Sequence, residues 1–178
     1  MQKIVFVLAI IITFSQAVNG QEIPTAEIAG VYSAITEIGG SSCNGAGGVA
    51  SVNVNRWFGA VADVSGCRTK FSFFGGTATN TRFSYLVGPR VSYRSSNRLT
   101  PYAQVLIGGA HASSTLSPSG FKGNGFAMSV GIGVDLRLTS HIALRLVQPE
   151  YFRSKFQGVH HNDFRFQTGV VFRLGAKS

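Results

Sequence analysis

The segment Gln167–Leu174, with the sequence QTGVVFRL, decides the fold of this chain. It ends a stretch in which large apolar residues alternate with small or polar ones, as in a strand with two unlike faces. The apolar face carries Phe164, Phe166, Val170, Phe172 and Leu174, and the other face carries Arg165, Gln167, Gly169 and Arg173. The sequence therefore predicts an amphipathic terminal strand.

Similar segments of roughly ten residues run through the chain, as in a transmembrane barrel. They predict strands over 27–37, 46–55, 57–66, 79–94, 100–112, 125–138, 141–154 and 163–175. Tight links at 55–56, 95–98 and 139–141 alternate with longer links at 38–45, 67–78, 113–124 and 155–162. This alternation is typical of short periplasmic turns and longer external loops. The predicted fold class is all-β, an eight-stranded antiparallel up-and-down transmembrane β-barrel.

The composition of the second face separates a membrane barrel from a soluble one. A soluble barrel would turn Lys, Glu and Thr outward, whereas here the second set is Gly, Ser, Asp and Arg. Glycine packs poorly on an exposed strand but leaves room for arginine inside a narrow barrel. We therefore predict apolar side chains toward lipid and charged ones toward the lumen, with a soluble lipocalin-like binder as an alternative.

The N-terminus predicts export. Lys3 precedes an apolar run over 4–12, which has the form of a secretory signal peptide. The run is shorter than the roughly 20 apolar residues of a transmembrane helix. Cleavage after Ala17 and cleavage after Gly20 are both consistent with the small residues there. Residues 1–20 are thus a predicted signal peptide and 21–178 a single barrel domain.

Charge gives a clue to partners. The chain has 16 Lys and Arg against 7 Asp and Glu, for a formal net charge of +9. Basic residues near the predicted outer loops favour contact with the anionic sugar-phosphate lipids of the outer leaflet. These residues are Arg68, Lys70, Arg82, Lys122, Arg153 and Lys155. Nucleic acid is not an expected partner of an exported chain without a nucleic-acid-binding motif.

Charged residues on the inward phase predict a network in the lumen. Buried charges must be paired, and an eight-stranded barrel is about wide enough for its own side chains. We therefore expect a structural plug in preference to an ion path or a catalytic pair. Its predicted members are Asp63, Arg90, Asp135, Arg137, Arg145 and Arg173, with Glu150 close to the inward phase past Pro149. Trp57, Phe58, Tyr93 and Tyr102, beside the short turns, are predicted to form an aromatic girdle.

The two cysteines predict a disulfide. Folding the hairpin at Asn55 brings Cys43 and Cys67 together, because each lies twelve residues from the turn. The compartment is oxidising, so a bridge that tethers the first two external loops is favoured over free thiols. No CxxC motif supports a redox centre.

The histidines are weak candidates for chemistry. His111 and Ser113 form a His-x-Ser pair similar to that of lipid A deacylase barrels, but a hydrolase also needs an acid to orient the histidine. Glu150, the acid available in a late strand, does not have that family's spacing. His160 and His161 point to opposite sides of an extended chain and make a poor metal site. We predict no catalytic residue, metal or cofactor.

Two sequence patterns resemble known outer-membrane features. Gln167, Gly169, Phe172 and Leu174 match the polar-x-Gly-x-x-apolar-x-apolar signal by which the barrel assembly machinery recognises its clients. The segments 55–66, 88–93 and 141–151 resemble the bacterial outer membrane protein β-barrel domain family, the small OmpA-like barrels. The resemblance covers essentially the whole mature chain and implies eight antiparallel strands around a plugged interior. Since the chain stops at Ser178, we expect no peptidoglycan-binding domain of the OmpA type.

These observations predict an integral protein of the cell outer membrane with a structural or surface-interaction role, such as membrane integrity or adhesion. The expected partners are outer-membrane lipid including lipopolysaccharide and, during biogenesis, the barrel assembly machinery and periplasmic chaperones. The expected state is monomeric. A barrel enzyme acting on lipid A is the second functional hypothesis, and the fold alone supports both.

Overall fold

A computed structural model describes residues 23–37, 42–73, 76–94, 98–115, 121–156 and 159–175. Its elements are β1 (Ala26–Glu37), β2 (Ser42–Asn53), β3 (Phe58–Phe73), β4 (Gly76–Ser92), β5 (Leu99–Thr115), β6 (Phe121–Arg137), β7 (Ile142–Phe156) and β8 (Val159–Leu174). Each strand pairs antiparallel with its sequence neighbour, and β8 pairs with β1 to close the barrel. The predicted fold class is confirmed.

The seam between β1 and β8 runs the full length of β1, from Ala26↔Leu174 to Glu37↔Asp163. Gly169 lies at the middle of this seam, where the two backbones approach closely. A Cβ there would come within 2.8 Å of the Val31 Cα. Glycine at this position therefore permits the last strand to dock and close the sheet.

The large apolar side chains lie on the outside of the barrel, as the alternation predicted. On β6, Ile132 is 62% exposed, and on β8 Phe172 and Leu174 are 51% and 48% exposed. The residues that alternate with these apolar side chains point inward. Among them, Arg165 and Gln167 are almost completely buried. An apolar outer surface around a polar interior is the arrangement of a transmembrane barrel.

The tight turns at the end that holds the chain termini are organised by polar side chains. The Asn55 Oδ1 accepts hydrogen bonds from the backbone N–H groups of Trp57 and Phe58, both at 2.8 Å. The Thr139 Oγ1 accepts the backbone N–H of Ile142 at 3.0 Å in the turn between β6 and β7. Asn and Thr are favoured in turns because their side chains can replace a backbone partner in this way.

The predicted external loops are wrong in extent. The links at 67–78, 113–124 and 155–162 are mostly strand, since β3 and β4 pair as far as Phe73↔Gly76 and β7 and β8 as far as Phe156↔Val159. Backbone pairing of a hairpin does not require apolar side chains, and beyond the lipid the outward residues are polar. The apolar alternation therefore marks the part of each strand that meets lipid, and the hairpins continue above it.

A β-bulge in β7 changes which of its residues face the lumen. Leu146 and Val147 are both exposed, and the register with β6 and β8 shifts at this point. Before the bulge Arg145 faces inward, and after it Gln148 and Glu150 do so. The extra residue thus lets Arg145, at an odd position, and Glu150, at an even position, both face the lumen.

Within the described ranges, no helix is long and apolar enough to cross a bilayer.

The exposed apolar band predicts a depth-dependent response to charge. We expect Ile132→Arg, in the middle of the band, to lower the free energy of unfolding by about 2–4 kcal/mol, and Leu138→Arg, at its periplasmic edge, by about 0–1 kcal/mol. Urea unfolding of the barrel in phospholipid vesicles measures both. Equal effects of the two substitutions would contradict the assignment of this surface to lipid.

Candidate functional site in the barrel lumen

Arg165 on β8 lies at the centre of the lumen with 0% exposure. Its guanidinium donates two parallel hydrogen bonds of 3.2 Å to the Asp63 carboxylate on β3 and a third, of 2.8 Å, to the Ser65 hydroxyl. The same guanidinium forms an ion pair with Glu150 on β7. Bidentate, charge-assisted contacts of this kind are among the strongest hydrogen bonds in proteins. One cation therefore connects three strands through the interior.

Amide side chains extend this contact across the barrel. The Glu150 Oε1 accepts hydrogen bonds from the Nε2 atoms of Gln104 and Gln148, at 2.8 and 2.7 Å. The Gln104 Oε1 in turn accepts two bonds from Arg90, at 3.0 and 2.8 Å. Gln148 also donates to the Gln167 Oε1 at 2.9 Å. A continuous hydrogen-bonded layer thus joins β4, β5, β7 and β8.

Tyr102 belongs to this layer, and its prediction as a girdle residue is wrong. Its ring is 5% exposed, and it lies between the guanidinium carbons of Arg90 and Arg145, 4.3 and 5.1 Å from the ring centre. Its hydroxyl donates to the Gln148 Oε1. The even-numbered residues of β5 face inward, and Gly133 on β6 makes room, because a Cβ there would collide with the ring. Position beside a short turn does not reveal which face a residue occupies.

Two further ion-paired groups lie toward the periplasmic end. Arg145 binds Asp135 through two hydrogen bonds, from Nε to Oδ1 at 3.0 Å and from Nη2 to Oδ2 at 3.3 Å. Glu27 on β1 lies 3.4 Å from the Arg173 Nε and 3.5 Å from the Arg94 Nη2. The carboxylates of Asp135 and Glu27 are both buried, and the neighbouring arginines balance their charges inside the barrel.

The extracellular end of the lumen opens into a cavity of about 360 Å³. Arg82 lies at this mouth and forms an ion pair with Asp163 at 3.2 Å. The prediction that Arg82 contacts outer-leaflet lipid is therefore wrong, because its strand parity turns it inward. The cavity is lined by Asn80, Thr81, Arg82, Ala112, Ser113, Ser114, Phe156, Val159 and His161.

Cys43 and Cys67 form a disulfide with a Cα–Cα distance of 5.7 Å. A hairpin symmetric about the predicted turn would put them directly opposite each other. The structure instead pairs Asn53 with Gly59, which places Gly45 opposite Cys67 and makes the bridge diagonal. The bond links the extracellular halves of β2 and β3.

The histidines lie outside the charged layer. The His111 Nδ1 is 2.6 Å from the Asn124 Oδ1 on the outer wall, and Ser113 lies two residues further along the same strand. His160 is exposed, whereas His161 is half-buried with its ring edge-on to Phe156. In the part of the chain that the structure describes, no three His, Cys, Asp or Glu residues are grouped closely enough to hold a metal.

The structure brings together most of the predicted lumen residues but divides them among separate groups. Asp63, Arg90, Asp135, Arg145 and Arg173 are all buried inside. Arg137 is half-buried at the periplasmic end of the inward face of β6.

Sequence reasoning missed the central residue, although its signal was available. The alternation in the terminal strand places Arg165 on the polar face but gives it no role in the network. Other buried polar residues that sequence reasoning missed include Glu27, Gln104, Gln148 and Gln167. The alternation of inward and outward residues along each strand predicts the inward position of these residues, except for Gln148, whose direction depends on the bulge.

The sequence matches the outer membrane protein beta-barrel domain family over residues 5–175. The chain belongs to this family, which assigns the barrel to the outer membrane and confirms the resemblance inferred from its segments. No curated protein sequence matches the chain.

Solved structures of small outer-membrane barrels share the fold. Neisserial surface protein A is 12% identical with a TM-score of 0.58, over 84% of this chain and 95% of that one. OprG from Pseudomonas aeruginosa is 11% identical with a TM-score of 0.56, over 89% and 99%. Ail, the attachment invasion locus protein of Yersinia pestis, is 16% identical with a TM-score of 0.53, over 83% and 96%.

The lumen contacts predict unequal roles for two buried arginines. Arg165→Met leaves the carboxylates of Asp63 and Glu150 without their shared cation, so we expect the free energy of unfolding to fall by about 3–5 kcal/mol or more. Arg90→Met removes hydrogen bonds to the neutral Gln104 side chain, and we expect a fall of about 1–3 kcal/mol. In the described ranges Arg90 has no carboxylate within ion-pair distance.

Urea unfolding in vesicles measures both variants, which are matched in the residue removed and the residue introduced. A loss for Arg90→Met as large as that for Arg165→Met would show that the carboxylate contacts do not dominate the layer.

Proposed function

We propose that this protein is a plugged, non-conducting outer-membrane barrel with a structural or surface-interaction role. The observation that carries the proposal is the buried layer from Arg90 through Gln104 and Glu150 to Arg165 and Asp63. This layer spans the cross-section of the lumen, so a channel along the barrel axis would have to pass through it. Moving an ion through it would require breaking charge-assisted bonds that water does not reach.

The shape of the extracellular side supports a surface role. The hairpins of β3–β4, β5–β6 and β7–β8 continue as paired strands beyond the apolar band. The Cys43–Cys67 bridge holds β2 to β3 on that side. Paired strands present their side chains in fixed positions, which suits membrane integrity or adhesion better than a flexible loop would. Barrels of this family are mostly without enzymatic activity.

The route to the membrane is part of the proposal. Residues 1–20, proposed as a cleaved signal peptide, lie outside the described residues. The barrel assembly machinery would recognise β8, whose Phe172 and Leu174 face outward while Gln167 faces the lumen. Periplasmic chaperones would hold the apolar strands before insertion, because exposed β-strands of this kind associate readily.

Planar-bilayer recordings test the plug. The folded barrel, verified by its altered gel migration after heating, should produce no sustained single-channel steps. The paired variant Glu150→Ser with Arg165→Ser removes one acid and one base, so the lumen charge is unchanged while the layer is broken. We expect this variant to leak. Steady channel currents through the folded parent would overturn the proposal.

A hydrolase acting on lipid A is a second candidate, favoured by the contact between His111 and Asn124 on the outer wall. An amide can orient a histidine toward a serine, and Ser113 lies on the same face of β5. Expression of such an enzyme would remove an acyl chain from lipid A, a mass change that His111→Ala would abolish. We expect no mass change, in agreement with the structural role. Loss of an acyl chain that depends on both His111 and Ser113 would favour the enzyme.

A further inference from the structure

The acidic side chains that the structure describes are all inside the barrel. Glu27, Asp63, Asp135, Glu150 and Asp163 are between 0% and 4% exposed. Each is ion-paired to an arginine of the lumen or its mouth. Among the side chains that the structure describes, the outer wall therefore carries basic groups and no acidic group to balance them.

Three of these basic or imidazole side chains are neighbours on β7 and β8. Arg153 and Lys155 alternate with buried residues on β7 and are exposed. His160 on β8 is exposed and lies directly opposite Lys155 in the strand register. Directly opposed residues in an antiparallel sheet have Cβ atoms about 4.5–5.5 Å apart. We call Arg153, Lys155 and His160 the outer basic patch.

The outer basic patch lies at the upper edge of the apolar band. Two residues below Arg153 on the same face, Tyr151 packs edge-on against Phe164 with ring centres 5.9 Å apart. Aromatic pairs at the end of an apolar band mark the interface between hydrocarbon and headgroups. On β6, Phe126 lies beside Lys155 in the register and continues the apolar surface. The patch therefore faces the headgroup layer of the outer leaflet.

Clustered cations without acidic neighbours repel each other unless an anion lies between them. A ligand that fits this position has apolar chains that extend into the hydrocarbon layer and a negative charge at the level of the patch. An acylated sugar phosphate has this form, because its chains would cover Phe164 and Phe126 while its phosphate meets the guanidinium and ammonium groups. Arginine and lysine both bind phosphate oxygens well.

We propose that the outer basic patch is a binding site for one phosphorylated glycolipid of the outer leaflet, the lipid A part of lipopolysaccharide, with its phosphate bound by Arg153 and Lys155 and a hydrogen bond from the His160 ring. The proposal rests on the outer-membrane placement of the barrel under the proposed function. It does not depend on the plug, since the patch lies on the opposite side of the barrel wall from the lumen.

Native mass spectrometry of the folded barrel in detergent tests the site, with lipid A carrying its phosphates and the same lipid A after dephosphorylation as the probes. The parent should retain the phosphorylated form at least about tenfold more strongly. The variant Arg153→Ser, Lys155→Ser, His160→Ser should lose this preference. The control variant Arg56→Ser, Arg98→Ser, at the periplasmic end, removes as many arginines and lysines and should keep it.

A parent that binds both probes equally, or a patch variant that keeps the preference, would overturn the proposal. So would a parent that ignores lipid A but binds a soluble sulfated polysaccharide through the same three residues. Heat-shifted gel migration verifies that each variant is folded. If the triple variant does not fold, the single variant Lys155→Gln takes its place and should likewise lose the preference for the phosphorylated form. A closed barrel without phosphate preference would refute this inference alone, whereas channel currents would refute only the plug.

Discussion

Backbone hydrogen bonds between β1 and β8 close the sheet, and the rest of the structure depends on that closure. In hydrocarbon an unpaired N–H or C=O group has no water to bind, so a sheet with free edges is not stable there. The seam leaves no edge from Ala26↔Leu174 to Glu37↔Asp163. Gly169 allows the close approach that this pairing needs. Closure also fixes the interior, because it makes one face of every strand an enclosed surface.

The enclosed face holds the carboxylates of Glu27, Asp63, Asp135, Glu150 and Asp163, and this separation of charge gives the protein two different surfaces. Inside, Arg165 holds Asp63 and Glu150 together, and neighbouring amides complete their hydrogen bonds. Outside, the wall is apolar in the band and basic at its extracellular edge. We propose that a barrel built in this way is closed to ions through its centre and binds anionic lipid around its rim. Both proposals depend on the same placement of carboxylates.

The bulge in β7 is the local irregularity on which the interior layer relies. Without the extra residue at Leu146 and Val147, strand parity would turn either Arg145 or Glu150 toward lipid. A charge in that position would be costly at the level of the hydrocarbon. The bulge therefore serves both the Arg145–Asp135 pair and the Arg165–Glu150 pair. Bulges in barrels commonly redirect side chains in this manner.

The sequence by itself determined the number of strands, the face of each strand that meets lipid, and the proximity of Cys43 and Cys67. Period-two alternation determines the strands and their faces, because each side chain in the apolar band must face either lipid or lumen, and equal spacing from the turn at Asn55 brings the two cysteines together. The tertiary structure decided the partners of the buried charges, such as Arg165 with Asp63, which are 102 residues apart in sequence. It also decided the inward position of Tyr102, the direction of Glu150 past the bulge, and the length of the hairpins above the membrane. Alternation gives the direction of a side chain but not the residue it meets across the lumen, because that contact depends on strand register, closure and the bulge acting together.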